Sequence, residues 1–302
     1  MQKNNGLDKN QLISFVIFSA ILMAFMFYFQ NKQSDEKQVA DAKAKTEQKV
    51  ASKTIANNIN ATVNAAAIKN VTVKNKELTL EFASLGGQLS SVEINQYKAY
   101  NAKTDKHDLP LYLIEKNNSS YGFQFKDKTG KTFNTKDLVF VPSVKDNTVT
   151  MTAQVSGATI QYVYQLLDNY TLDFNVKTQG LSSIVTDEKA DFHWNYTVRG
   201  MEKGRSQEQT HSEFNYAFDN YGSTDYDTNG FEEPEETLNW LAVKQQFFTS
   251  IIESTNGFTQ TKGTQETIEK GEFLKKFNFE GQVKLAGNEL NQNFKWYFLP
   301  LD

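Results

Sequence analysis

Oxygen-bearing side chains recur at alternate positions in Asp225-Tyr226-Asp227-Thr228-Asn229-Gly230, with Glu236 six residues further on. That spacing satisfies the calcium-loop pattern: alternating oxygen ligands, a glycine turn and a closing bidentate carboxylate. The setting favours a solvated acidic loop instead. Glu232 stands where an apolar residue normally pins such a loop, and Pro234 restricts the exit. The entering segment, 214–222, is aromatic and glycine-containing rather than amphipathic. Both readings stand at this point.

The three histidines are His107, His193 and His211. None has a second histidine or a carboxylate at metal-ligand spacing on a clear helix. His193 lies in the strand-like run Asp191-Phe192-His193-Trp194, where a structural role is the expectation. No G-x-S-x-G elbow, phosphate loop or dinucleotide fingerprint is present. Cysteine is absent, which removes disulfides, thiolate metal sites and thiol catalysis. These patterns single out no catalytic, cofactor-binding or metal residue. Net charge is -4 and only Arg199 and Arg205 are arginines, so nucleic acid is not an expected partner. Lys203, Arg205 and their Ser/Gln neighbours form a polar loop, read as ordinary solvation or an interaction surface. The aromatics around 215–226 could line a sugar groove, although core filling is the default in a sheet protein.

Side chains of these kinds need a scaffold. Aromatics are 13% of 302 residues, enough for a sizeable packed core. From Asn70 onward short runs of alternating apolar and polar residues follow one another: 71–73, 78–82, 109–115, 121–125, 148–155, 159–167 and 170–176. Lys74-Asn75-Lys76 and Asp168-Asn169 read as turns between neighbours. Strands of this length and spacing indicate antiparallel sheets packed as a sandwich. One stretch, 235–250, carries helix-start signals, with Pro234 ahead of Glu235 and Glu236. Its Leu238, Leu241, Ala242 and Phe248 share a helical face only loosely, so a strand from Trp240 competes.

Residues 12–29 read LISFVIFSAILMAFMFYF, without charge, proline or glycine. As a helix they extend about 27 Å, close to the hydrocarbon thickness of a bilayer. The run is longer than a signal-peptide core, and the nearest small-x-small site, Ala40-Asp41-Ala42, lies too far downstream. An uncleaved anchor is expected over 1–30. Residues 31–69 are polar with almost no large apolar side chain and read as a flexible linker. Residues 70–302 form the globular part. Lys3 and Lys9 precede the span and six lysines follow within 32–53, so lysine counting leaves the orientation open.

Residues 85–97, LGGQLSSVEINQY, read as a strand, a Gly86-Gly87 turn and a strand with Leu89, Val92 and Ile94 inward around an irregularity. They resemble the first hairpin of the large periplasmic domain in the YidC membrane protein insertase family. Residues 240–248, WLAVKQQFF, resemble that domain's later Trp-aliphatic-Ala and Gln-aromatic segment. Asp8-Lys9-Asn10 ahead of the span resembles Bacteroidetes-type members. The resemblance implies a mainly β fold: a large antiparallel β-supersandwich, galactose-mutarotase-like, with an N-terminal transmembrane helix and few short helices. It implies the cell inner membrane, a cytoplasmic N-terminus and the folded domain in the periplasm. It also implies a function, inserting and folding integral membrane proteins alone or with the Sec translocon, and a non-enzyme that uses no cofactor and breaks no covalent bond. The partners implied are the lipid bilayer, the translocon and client membrane proteins. Trp296-Tyr297-Phe298-Leu299-Pro300 departs from the family's aromatic-Gly-Pro pattern at Leu299. The family's insertion machinery is a later five-helix bundle with an intramembrane arginine. Neither Arg199 nor Arg205 lies in an apolar span, so these 302 residues read as the anchor and periplasmic part alone. Two rivals are a membrane-anchored sugar-binding or mutarotase-like protein and a single-pass assembly or adhesion module. A histidine facing a carboxylate across an open pocket would favour the first rival.

Overall fold

The computed structural model describes residues 69–218, 225–227, 230–233 and 235–301. The expected anchor and, but for Lys69, the expected linker lie outside them. Among the described residues no helix is long and apolar enough to cross a membrane.

Alternation of buried and exposed side chains drives the architecture. A four-stranded sheet runs β1 (Val71–Lys74), β2 (Leu78–Ala83), β3 (Gln88–Asn101) and β4 (Lys106–Ile114), in that order. A larger sheet starts with β5 (Ser119–Lys126), β6 (Thr132–Asn134), β7 (Val141–Lys145), β8 (Thr148–Val155), β9 (Ala158–Leu166), β10 (Thr171–Gln179) and β11 (Lys189–Arg199). One short helix, α1 (Arg205–Thr210), follows. Then come β12 (Glu213–Phe218), β13 (Asp225–Asp227), β14 (Gly230–Glu233), β15 (Leu238–Lys244), β16 (Phe248–Thr267), β17 (Phe273–Lys284) and β18 (Asn291–Pro300). The main path is β6-β5-β11-β17-β16-β18-β10-β9-β8-β7, with β12 to β15 branching from β16. Every described strand pairing is antiparallel, for example β11 with β17 and β9 with β10.

β16 turns the large sheet over on itself. Its first half pairs with β15 and β18, its second half with β14 and β17. Between them the register slips, and Gly257 (φ 71°) and Gln260 (φ 51°) take left-handed backbone. A bulged strand bends in this way. The fold closes on aromatic rings from both halves. Phe123 meets Phe294 at 5.7 Å, Trp194 meets Trp296 at 4.9 Å, and Phe192 meets Phe258 at 5.3 Å. The small sheet joins them through Phe82 on Tyr164, centroids 4.6 Å apart. Burying one such ring contributes about 1.5–3 kcal/mol. The result is the antiparallel supersandwich.

The helix alternative for 235–250 is not what forms. Leu238 to Lys244 is strand β15, and Gln245 turns the chain, its N–H bonding the Phe248 carbonyl at 2.7 Å. The apolar residues that fit a helical face loosely fit a strand well, and Phe247-Phe248-Thr249 with Ile251-Ile252 favours the pleat. The strand begins two residues before Trp240. Tyr170, read as a strand start, instead shares the turn with Asn169, at φ 65° and 59°.

Free edges are blunted. Edge strand β7 carries Pro142 and edge strand β4 carries Pro110, and β6 has three residues. Proline and shortness both discourage edge-to-edge pairing.

Candidate functional site

The Gly-Gly turn is built by the core around it. Gly86 and Gly87 sit at φ 76° and 60°, backbone that side chains rarely adopt. A Cβ on Gly87 would stand 2.8 Å from the Phe140 ring. Beyond the turn, Leu89 and Val92 both point inward although three residues apart. The sheet accommodates this by a register shift, where Glu81 pairs with Ser91 and Phe82 with Leu89. Ser90 is the extra residue, and its hydroxyl donates to the Glu81 carbonyl at 3.2 Å.

A group of titratable side chains lies elsewhere, where the β3–β4 hairpin meets segment 200–208. His107 Nε2 lies 2.8 Å from Glu202 Oε2. Lys203 Nζ lies 2.6 Å from Asp105 Oδ1 and 5.9 Å from the centre of the Tyr100 ring. The Tyr100 N–H donates to the Met201 carbonyl at 2.8 Å. Glu208, on α1, supports the far side. Its carboxylate accepts the N–H of Met201 at 2.8 and 3.0 Å and that of Glu202 at 3.2 Å. Burial pushes the Glu208 carboxyl up, against those two N–H donors, which hold it down. Asp105 is held below the usual carboxylate range by Lys203 and Tyr100. The arrangement orders a hairpin; it presents no nucleophile beside a base.

Arg205 is not a free surface cation. Its guanidinium donates to the carbonyls of Gly271 (2.7 Å), Phe273 (2.8 Å) and Ile268, fastening the β16–β17 turn. Arg199 pairs with Glu115 and with Glu272, the latter at 2.9 Å. The two arginines are spent inside the molecule, so neither reading of the polar loop at 203–205, solvation or recognition, describes Arg205.

His193 faces outward on β11 between Gly122 of β5 and Glu280 of β17. Its Nδ1 is 3.7 Å from Glu280 Oε1. Its Nε2 is shielded from solvent without a hydrogen-bond partner among the described residues. This brings a histidine and a carboxylate together, but on an open strand face. A depression of about 410 Å³ on the same strands is lined by Gln124, Asp191 and Gln282, among others, and by neither His193 nor Glu280. His211 bonds the Gln207 carbonyl at 2.8 Å within its own helix end. The segments on either side of the acidic loop at 225–236 are strands, β12 (Glu213–Phe218) and β15 (Leu238–Lys244), rather than the helical flanks of a calcium loop. Residues 228, 229 and 234 of that loop lie outside the described residues. Among the described residues no cluster of three histidines or carboxylates could hold a metal.

Residues 70–298 match the model of the YidC periplasmic domain. The chain belongs to that family. Its relatives named membrane protein insertase YidC include one from Parabacteroides distasonis, 26% identical over 97% of this chain and 52% of the relative. Another, from Phocaeicola vulgatus, is 28% identical over 88% of this chain and 46% of the relative. The chain thus spans about half the length of the curated relatives it matches. Among solved structures, a putative aldose 1-epimerase from Escherichia coli overlaps 78% of this chain and all of its own, at 10% identity and TM-score 0.47. At that distance the likeness says nothing about activity. Within the YidC domain the residues carrying the resemblance are structural. Gly86-Gly87 is packed against Phe140, and Gln245, buried, donates from Nε2 to the Arg199 carbonyl at 2.9 Å. Leu299, where the family pattern has glycine, sits in regular β18 opposite Thr249 and needs no special backbone. What the sequence did not show is the Tyr100, Asp105, His107, Glu202, Lys203 and Glu208 assembly. Its members are about a hundred residues apart in the chain and follow no spacing rule.

Proposed function

We propose that residues 70–302 are the periplasmic part of a membrane protein insertase. In this reading residues 1–30 anchor it in the inner membrane with the N-terminus cytoplasmic, and residues 31–69 tether it. The supporting observation is the family match over residues 70–298. The domain contributes contacts with client membrane proteins and with the Sec translocon, and no covalent chemistry. Insertion itself belongs to a polar groove within a helical bundle, which lowers the several kcal/mol cost of an unsatisfied polar group in lipid. Residues 1–302 supply no such groove in this reading. The test is complementation in cells depleted of their insertase, with protease accessibility as the topology readout. The expected result is no rescue by residues 1–302, with residues 70–302 cut only when the outer membrane is opened. Rescue by this chain alone, or cleavage from the cytoplasmic side, overturns the reading.

A further inference from the structure

Five segments converge at one end of the body. The turn after β1 is tied to β3 by Asn95, whose Nδ2 donates to the carbonyls of Asn75 and Lys76 at 3.2 Å. Asn75 Nδ2 in turn donates to the Leu167 carbonyl at 2.6 Å, beside the β9–β10 turn. Tyr170 of that turn accepts the Phe298 N–H at 3.1 Å. The β15–β16 turn joins through Phe247, whose carbonyl accepts the Leu301 N–H at 2.8 Å. Tyr97 on β3 sets its ring edge-on to Phe248 at 5.3 Å.

Two of the large apolar side chains left exposed fall here, Tyr97 at 37% and Phe247 at 44%. Single exposed apolar residues are ordinary. Here Tyr97 packs on Phe248, the residue after Phe247, and half-buried Leu301 is bonded to the Phe247 carbonyl. Lys76 on the tied turn is 81% exposed, and Lys74 on β1 and Lys98, next to Tyr97 on β3, are exposed too. Among the described residues Glu77, 3.9 Å from the Lys76 ammonium, and Asp168 are acidic groups of this end, and Asp302 follows Leu301 in the chain. Tyrosine, phenylalanine and lysine are the side chains that suit a boundary between hydrocarbon and charged headgroups.

We propose that this end, through Tyr97, Phe247, Leu301 and Lys76, is a lipid-seating surface that rests on anionic headgroups of a bilayer. The proposal rests on the membrane-anchored reading above. A second copy fits less well. A two-fold contact would bring like lysines together, and so few apolar residues fall short of the roughly 800 Å² per partner of a stable interface. Residues 31–68 of the chain hold no aromatic residue and only six scattered branched apolar side chains, Val39, Val50, Ile55, Ile59, Val63 and Ile68, among polar ones.

Since the chain has no cysteine, single cysteines can carry a fluorescent probe. The full chain bearing Phe247→Cys is reconstituted into phosphatidylglycerol-containing vesicles with headgroup spin-labelled lipid. Gln154→Cys is the control, exposed on β8 opposite Thr159, at the end of the β8–β9 pair away from Leu166. Quenching at 247 is expected to exceed that at 154 about threefold, and to fall when Lys76→Glu is added or phosphatidylcholine alone is used. Equal quenching in a chain that floats with the vesicles overturns the surface and leaves the anchor standing. A chain that does not float overturns both. Disulfide-linked dimers of the unlabelled Phe247→Cys chain assign this end to a second copy and overturn the lipid proposal.

Discussion

Tyr164 donates its phenolic hydrogen to the Gly87 carbonyl across 2.9 Å, with both residues buried. The relay continues: Tyr121 lies 2.8 Å from the Tyr164 oxygen, and the Leu89 N–H donates to Tyr121 at 3.1 Å. With Tyr164 donating to Gly87, Tyr121 must donate to Tyr164, and every member is satisfied. Burial pushes both phenols well above the usual tyrosine range, so they stay neutral donors. The relay joins the glycine turn of the small sheet to the aromatic core of the large one.

Two substitutions test that relay. Tyr164→Phe leaves the Gly87 carbonyl and the Tyr121 hydroxyl short of a partner, and should cost about 1–3 kcal/mol. Gly87→Ala meets the Phe140 ring and a left-handed backbone together, and should cost about 2–4 kcal/mol. Urea denaturation of the full chain, followed by near-ultraviolet circular dichroism, checks both. A loss under about 0.5 kcal/mol in either would show that the turn does not depend on these contacts.

Glu208 should leave a signature in the pH dependence of stability. Its carboxyl is raised in the folded state, chiefly by burial, above an unfolded value of 4.5. A raised acid favours the fold while protonated, so its contribution is full below pH 4.5 and is lost as pH rises through the folded value. Glu208→Gln keeps an acceptor for Met201 and Glu202 without the charge. The difference in stability between variant and parent should therefore grow in the variant's favour as pH rises from 4.5 toward neutrality. Denaturation midpoints across that range decide it; a difference that stays flat, or moves the other way, contradicts the assignment.

Arg205 and His107 should differ sharply in what they stabilise. Arg205 holds three carbonyls around the β16–β17 turn, and Arg205→Ala should cost about 2–3 kcal/mol. Arg205→Lys should recover only part of this, because an ammonium cannot span carbonyls the way a planar fork does. The His107–Glu202 pair is exposed, with the histidine side chain 49% accessible. A double-mutant cycle there should give coupling below about 1 kcal/mol. Hydrogen exchange at 269–273 should quicken in Arg205→Ala and not in His107→Ala.

Much of this was readable in advance, for physical reasons. Period-two alternation placed β8, β9 and the body of β10 because one face of each is buried. The three-residue gap from Leu89 to Val92 announced the bulge at Ser90. Where the pattern blurred, reading failed: β15 is buried on both faces at Leu241-Ala242-Val243, so alternation vanished and helix-start signals at Glu235 competed. Nor could spacing show that Arg205 would turn inward to carbonyls more than sixty residues away. Long-range polar ties of that kind carry no local signature.

His193 and Glu280 supply the last prediction. Their separation of 3.7 Å is close enough for an acid and a base to cooperate, which is the feature a sugar epimerase would need. Such chemistry also needs a cleft that holds the ring between them and excludes water. His193 instead stands on a strand face opposite Gly122, whose missing side chain leaves room for Asn134 and Thr135, 2.8 Å from where a Cβ would be. The histidine thus has Gly122 of β5 on one side and an exposed carboxylate on the other. Calorimetric titration of the full chain with glucose and galactose should show no heat, and Glu280→Gln should leave stability within about 0.5 kcal/mol of the parent. Saturable hexose heat that disappears in His193→Ala would place a sugar site on this face and reopen the epimerase alternative.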